Sequence, residues 1–425
     1  MNLRSFCLLL LISLSLAFGC SCNRAKQENP VDTTGLLPVL AQQNNDFAFQ
    51  LFARVDEPGE NLFFSPYSIS SALSMVYGGA KGNTASEIAS ALSFSLPVPE
   101  QHAAFQALQQ ELNAVKKRKK AELNVANALF GAKRNQARLH KDYLELLRDS
   151  YASELYSLDF SDAKAAAGFI NRWVEDKTND RIKDLVSENH IRRSNDGLVL
   201  VNAIFFKGNW LNKFDPAYTA PDDFFTSSER SPETAKPVQM MTIQDDFRYA
   251  RLPGCQLLEL PYAEENLAML FILPDDLDAF TTQLNTDSYA QWLAALNTQE
   301  VEVYIPKFTF DHTLQELVEK FKALGMKDAF DPGRADFSGI MPISPSERLF
   351  ISDILHKAFV EVNETGTEAA AATAVVMEIT SAAPFEEPPL PVFRADHPFL
   401  YLIIHKPSTT ILFLGKFADP PMLDL

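Results

Sequence analysis

The chain has 425 residues, 46% of them hydrophobic and 22% charged, which supplies a large core and excludes a fibre or wholesale disorder. Length alone would allow two or three domains. A formal net charge of −17 excludes a nucleic-acid partner, since a phosphate-binding surface has to be basic, and the one dense cationic run, 116–120, reads as a solvated helix face.

The N-terminus carries an address. Asn2 to Arg4 give a basic start, 6–18 is an apolar run, and Ala17-Phe18-Gly19-Cys20 places small residues before a cysteine. The run is too short to span a membrane comfortably and has the flanks of a secretory signal, so 1–19 is expected to be removed. Its ending resembles a bacterial lipobox, in which the cysteine thiol receives diacylglycerol and becomes the mature N-terminus. The expectation is lipidation at Cys20 and a secreted protein anchored to a bacterial membrane, on its periplasmic or cell-surface face; an ordinary signal peptide and an extracellular protein is the alternative. Cys7 would leave with the signal and Cys20 would be acylated, so only Cys22 and Cys255 remain, and one remote pair is no disulfide framework. Cys255 is therefore read as a free structural thiol. Residues 20–37 are polar, contain Pro30, and read as a flexible tether.

Periodic patterns begin at Leu40. Phe47, Phe49, Leu51, Phe52 and Val55 fit an amphipathic helix, broken by 61–66. Stretches 68–77, 84–92, 101–115 and 143–151 read as further helices. Strands follow: LVLVNAIFF at 198–206 is a run of the kind buried on both faces of a sheet. Runs 257–260 and 267–273 flank Ala263-Glu264-Glu265-Asn266 as a hairpin. Strands at 301–306, 349–351, 358–362, 400–405 and 411–417 and a helix at 314–324 complete the set. With no repeat and no proline-rich linker, 38–425 is read as a single α+β domain.

Catalytic signatures are missing from this sequence. Seven histidines occur, but none forms HExxH, no paired cysteines suggest zinc, and neither GxSxG nor a phosphate-binding glycine loop is present. The chain is read as no enzyme, with no metal and no cofactor.

The stretch ETGTEAAAATAVV at 364–376 is the most informative. Its local propensity is helical, because Glu-Ala-Ala-Ala-Ala is close to the best helical composition. The other reading is a strand whose small side chains can slide between two existing strands. Alternation then puts Thr367, Ala369, Ala371, Thr373 and Val375 on the inward face, and Glu368, Ala370, Ala372 and Ala374 on the outward one. No bulky or charged residue meets the layer beneath, where even an extra methylene would be felt. Gly366 would serve as the hinge.

Taken in order, several stretches resemble the serpin family over nearly the whole mature chain: NLFFSPYSISSALSMVYGGAKGNTASEI from Asn61, INRWVEDKTNDRI from Ile170, LVNAIFFKGNW ending at Trp210, LELPYAEENLAMLFILPDD from Leu258, PKFTFD from Pro306, LGMKDAFD from Leu324, ADFSGI from Ala335, HKAFVEVNETGTEAAAAT from His356 and DHPFLYLI from Asp396. The resemblance implies three β-sheets with about nine helices, and a metastable monomer with an exposed C-terminal reactive loop, about 364–393, able to enter the largest sheet. It implies an irreversible suicide-substrate inhibitor that a serine protease attacks to form a covalent acyl-enzyme complex; a non-inhibitory serpin acting as a binding or storage protein is the alternative. The scissile bond would be Thr380-Ser381, with Ile379-Thr380 and Met377-Glu378 as alternatives, because the segment from Gly366 to Asp396-His397-Pro398-Phe399 is longer than in many relatives. No Lys or Arg occurs from Glu368 to Phe393, which points to elastase-like, subtilisin-like or broad-specificity proteases. By the motif match, Ser65, Ser68, Asn202 and His356 form a polar cluster where the sheet parts, His356 being a core histidine and no catalytic base. Trp210, Lys307 and Glu364 sit where the loop first enters, with a Lys307–Glu364 ion pair expected.

Overall fold

A computed structural model describes residues 33, 35–117, 120–194, 197–227, 230–344, 347–367 and 389–421, and from Thr33 onward the chain forms one unit. In chain order the N-terminal half runs α1 (Leu36–Val55), β1 (Leu62–Phe64), α2 (Pro66–Tyr77), α3 (Gly82–Ala91), α4 (Val98–Lys117), β2 (Ala121–Ala132), α5 (Lys141–Tyr151), β3 (Leu155–Leu158), α6 (Ala163–Lys177), α7 (Glu188–Arg193) and β4 (Leu198–Asn209). It continues with β5 (Ala220–Phe225), β6 (Ala235–Leu252), β7 (Cys255–Pro261), β8 (Leu267–Pro274), α8 (Leu277–Thr281), α9 (Thr286–Ala295), β9 (Asn297–Pro306), β10 (Phe308–Leu314) and α10 (Leu317–Ala323). The last strands are β11 (Ile351–Asn363), β12 (Gly366–Thr367), β13 (Val392–Arg394), β14 (Phe399–His405) and β15 (Thr410–Phe417). Among the described residues there are ten α-helices, of which α7, α8 and α10 are seven residues or shorter.

The smaller sheet has six strands in the order β10-β11-β12-β4-β2-β3. β12 reaches only a short way in: below it β11 and β4 pair directly and in parallel, from Ile351↔Leu198 to Phe359↔Phe205. The larger, nine-stranded network runs β1-β15-β14-β8-β7-β6-β9-β13, with β5 also on β6. It turns on the 18-residue β6, which pairs β5 and β9 along its first part and β7 along its last. Divided at β6, it supplies two of the three expected sheets, one of six strands (β1, β15, β14, β8, β7 and the end of β6) and one of four (β5, β6, β9 and β13), so neither exceeds the six-stranded sheet that contains β4 and β11.

β4 is buried on both faces, and the two faces belong to different cores. Leu198, Leu200, Ile204 and Phe206 join the main core between the sheets. Val199, Val201 and Ala203 point the other way, onto Ile170 and Val174 of α6 and Ile191 of α7. That double burial is why the strand reads as an apolar run through 198–206, interrupted at Asn202.

Several boundaries differ from expectation. α1 starts at Leu36, inside the stretch read as tether, because Gln43, Asn44 and Asn45 are buried polar residues that blur its apolar stripe; Asn44 Nδ2 donates to Ile411 O at 2.9 Å and Asn45 Nδ2 to Thr409 O at 3.0 Å. Residue 314, expected to open a helix, ends β10, and the helix starts at Leu317 after Glu316 adopts φ 55°. The strands expected at 349–351 and 358–362 are one 13-residue strand, β11, whose middle carries polar Asp353 and His356. The cationic run 116–120 crosses the end of α4 and lies for the most part outside the described residues. Cys255 is free and buried, and burial pushes its thiol up to about 11, which keeps it protonated and unreactive.

Candidate functional site

Two polar constellations lie along the line where β11 and β4 meet. The upper one surrounds the start of the loop. After β11 the chain reverses through Glu364 and Thr365, so that Asn363↔Gly366 and Val362↔Thr367 form a tight antiparallel hairpin. Its second arm also pairs β4, Gly366↔Asn209 and Thr367↔Gly208, and so separates β11 from β4 at this end. Asn363 Oδ1 holds the turn, accepting from Thr365 N at 3.0 Å, Thr365 Oγ1 at 2.8 Å and Gly366 N at 3.3 Å.

Gly366 admits no side chain. Its φ of 152° is one that L residues rarely adopt, and an added Cβ would lie 2.0 Å from the carbonyl oxygen of Gly208. Thr367 beside it is 1% exposed and faces the main core, where its hydroxyl lies 2.7 Å from the hydroxyl of Tyr262. The Tyr262 ring stacks on Trp210 at 4.7 Å and 13°. Trp210 Nε1 in turn donates to Asn363 O at 3.0 Å, and Trp210 N donates to Thr365 O at 2.9 Å. Burial raises the Tyr262 phenol far above its ordinary value, so it stays a neutral hydroxyl.

Glu364 is tied down from outside. Lys307 Nζ lies 3.0 Å from its Oε1 and Thr219 Oγ1 donates to the same oxygen at 2.9 Å, while Phe214 N donates to Glu364 O at 2.9 Å. Burial opposes ionisation of this carboxyl, but backbone and side-chain hydrogen bonds, including those from Lys307 and Thr219, outweigh it and hold the carboxyl below its ordinary value. The sequence reading paired Lys307 with Glu364 and set Trp210 nearby; the structure brings all three together.

The lower constellation is a row across three strands. His356 stands opposite Asn202, and Asn202 opposite Asn127. His356 Nδ1–H donates to Asn202 Oδ1, and Asn202 Nδ2 donates to Asn127 Oδ1 and Ser68 Oγ. From beneath, the N-terminus of α2 completes the row: Ser65 N donates to His356 Nε2 at 3.2 Å, Ser65 Oγ to Leu412 O at 2.6 Å, and Ser68 Oγ to Asn127 Oδ1 at 3.3 Å. Ser65 also caps α2, accepting from Ser68 N at 3.1 Å ahead of Pro66. His356 is fully buried, and burial, followed by the nearby His312, lowers it to about 3, so the imidazole is neutral with one nitrogen donating and one accepting.

The structure thus unites Ser65, Ser68, Asn202 and His356 and adds Asn127, which the sequence reading missed although an asparagine inside the apolar run ANALF was a visible signal. Tyr262, Asn363 and Thr219 were missed as well. Glu368, Ala369, Ala370, Ala371, Ala372 and Thr373 of the hinge, Met377, Ile379, Thr380 and Ser381 around the scissile bond, and Cys20 lie outside the described residues. No helix among the described residues is long and apolar enough to cross a membrane.

Both constellations are hydrogen-bonded closures along the seam between the parallel strands β4 and β11.

Comparison with known proteins agrees with this geometry. The family profile for Serpin (serine protease inhibitor) matches residues 42–420. Leukocyte elastase inhibitor of Xenopus laevis is 37% identical over 393 residues, covering 90% of this chain and 99% of the relative. Serpin B6 of Macaca fascicularis is 40% identical over 399 residues, covering 90% of this chain and 100% of the relative. Among solved structures, human thyroxine-binding globulin superposes with a TM-score of 0.78 at 32% identity, over 91% of this chain and 99% of that one. With a profile match from 42 to 420 and relatives aligned over almost their whole length, the chain belongs to the serpin family.

Proposed function

We propose that this chain is an irreversible suicide-substrate inhibitor of serine proteases with shallow apolar specificity pockets, working by cleavage of its loop and insertion of the loop into the six-stranded sheet. The observation that carries the reading is β12, two residues already antiparallel to both β4 and β11 at the head of a seam that is otherwise closed.

Continuing that register gives the inserted strand its neighbours. Thr373 lies six residues beyond Thr367, Asn202 six before Gly208, and His356 six before Val362. Insertion would therefore bring the Thr373 hydroxyl between Asn202 and His356 and give both a new partner as their mutual bond breaks. One parallel seam is exchanged for two antiparallel ones, and at roughly 1 kcal/mol net per hydrogen bond an inserted strand of about fourteen residues gains on the order of 10–20 kcal/mol. That is comparable to the roughly 5–15 kcal/mol that keeps a typical domain folded.

The bond chemistry belongs to the protease. Its serine Oγ attacks the carbonyl of Thr380, the amine of Ser381 leaves with a proton from the protease histidine, and an ester remains. Insertion then drags the esterified protease along the sheet and distorts its oxyanion hole; loss of one such donor typically slows the reaction by about 10²–10³, enough to preserve the ester.

Fold alone does not select this function, since thyroxine-binding globulin has the same fold and was solved with thyroxine bound. The absence of bulky, charged or proline residues on the inward face of 367–375 favours the inhibitor over a binding or storage protein. The motif at Cys20 supports a secreted protein lipid-anchored to a bacterial membrane. An SDS-resistant adduct is expected with an elastase or subtilisin panel, and the mass of the released C-terminal peptide identifies the cleaved bond; simple cleavage with no adduct at any ratio would favour the non-inhibitory alternative.

A further inference from the structure

Tyr262 belongs to the larger sheet's side of the main core, yet its hydroxyl reaches up to the first loop residue threaded between β4 and β11. Its own position is fixed independently of that contact. Tyr262 is fully buried, its N donates to Leu267 O at 3.1 Å, and its ring is held between Trp210, stacked at 4.7 Å, and Phe206, edge-on at 4.9 Å. The hydroxyl pair with Thr367, at 2.7 Å, is the side-chain contact by which Tyr262 meets the movable strand, whose backbone is paired to β4 and β11 on either side. A slip of one residue would turn Thr367 to the outer face and bring Gly366 or Glu368 to the Tyr262 side, where neither offers a matching hydroxyl.

We infer that Tyr262 is a positioning residue for insertion: its hydroxyl keeps Thr367 threaded in the intact chain, so that after cleavage the strand extends from a nucleus that is already in register. The inference rests on the insertion reading above but makes a separate claim, that this side-chain bond sets the register of the threaded start, which backbone pairing to β4 and β11 alone would leave free to slip. Loss of the bond shifts the intact chain toward an unthreaded hinge. Two rates then change in opposite directions. The loop becomes no less accessible to cleavage, while insertion has to form its nucleus first and slows.

The test uses the full chain, nicked in the loop by a papain-type protease, with the time course of acquired heat resistance as the measure of insertion. Tyr262→Phe and Thr367→Val each remove one hydroxyl and keep the ring or the volume. Each is expected to insert about tenfold more slowly than the parent, the effect of losing one buried hydrogen bond, while nicking proceeds at least as fast. The double variant, which leaves no orphaned hydroxyl, is expected to be no slower than the slower single variant. Parent-like insertion in both single variants, additive slowing in the double, or slower nicking together with a lowered melting temperature of the intact form would each overturn the inference. A nicked parent that never gains heat resistance would overturn it together with the proposed function; a parent that inserts but traps no protease would remove only the latter.

Discussion

Thr367 is the position at which a single substitution should convert the inhibitor into a substrate. In Thr367→Arg the side chain has to occupy a site that is 1% exposed and faces the Tyr262 hydroxyl, whose ring packs against Trp210 and Phe206, while the carboxylate of Glu364 in the same hairpin is already engaged by Lys307. An uncompensated buried charge costs about 3–5 kcal/mol, of which stacking on the aromatic rings returns at most about 2. Because each 1.4 kcal/mol is about a factor of ten in rate, the remaining cost, at least about 1–3 kcal/mol, slows insertion by at least roughly five- to 150-fold, enough for hydrolysis of the ester to win. The scissile bond is far along the loop and its cleavage should continue. The assay is a titration of a subtilisin-type protease against parent and variant, scoring SDS-resistant adduct against free cleaved chain. The expected result is cleavage with little or no adduct. An adduct yield equal to that of the parent would refute the reasoning, because the loop would then be trapping the protease without entering the sheet at Thr367.

Acid should destabilise the intact protein well before its carboxylates titrate. Burial lowers His356 to about 3 and His102 and His405 to about 4, against an ordinary value near 6.5 in the unfolded chain. Between these values the unfolded state binds more protons than the folded one, so stability falls as pH drops from about 6.5 toward 4; at pH 5 each of the three histidines accounts for about 2 kcal/mol. A melting temperature that stays level from pH 7.5 to pH 5 would contradict this. Asn127→Ala removes the acceptor used by Asn202 Nδ2 and Ser68 Oγ, and the orphaned donors should cost the intact form about 1–3 kcal/mol in denaturant unfolding. An unchanged midpoint would show that the row across the three strands closes without it.

The readable parts of the sequence were those decided locally. The apolar run at 198–206, the hairpin about 263–266 and the helices at 68–77 and 143–151 appear as β4, β7–β8, α2 and α5, because one dominant periodicity governs each. β6 was not legible: over 18 residues its burial alternates irregularly as it passes from one set of neighbours to another, leaving no single period to detect. β11 was split in two because Asp353 and His356 interrupt its apolar pattern, and the same histidine is what the polar row uses. In the site, Gly366 was within reach of its own residue chemistry as a hinge, whereas Lys307, Trp210 and Glu364 were reached through the family resemblance, since Lys307 and Glu364 meet across 57 residues and no local pattern marks them. Tyr262 was not, because its partner is 105 residues away and belongs to a different layer of the fold.

The chain's last two strands, β14 and β15, are interior strands of the larger sheet, between β1 and β8. A polypeptide emerging from the ribosome N-terminus first therefore exposes two unpaired sheet edges until nearly every residue has been delivered. Completion waits on residues 399–417, so translation that stops ahead of Phe399 yields a product whose bare edges invite aggregation.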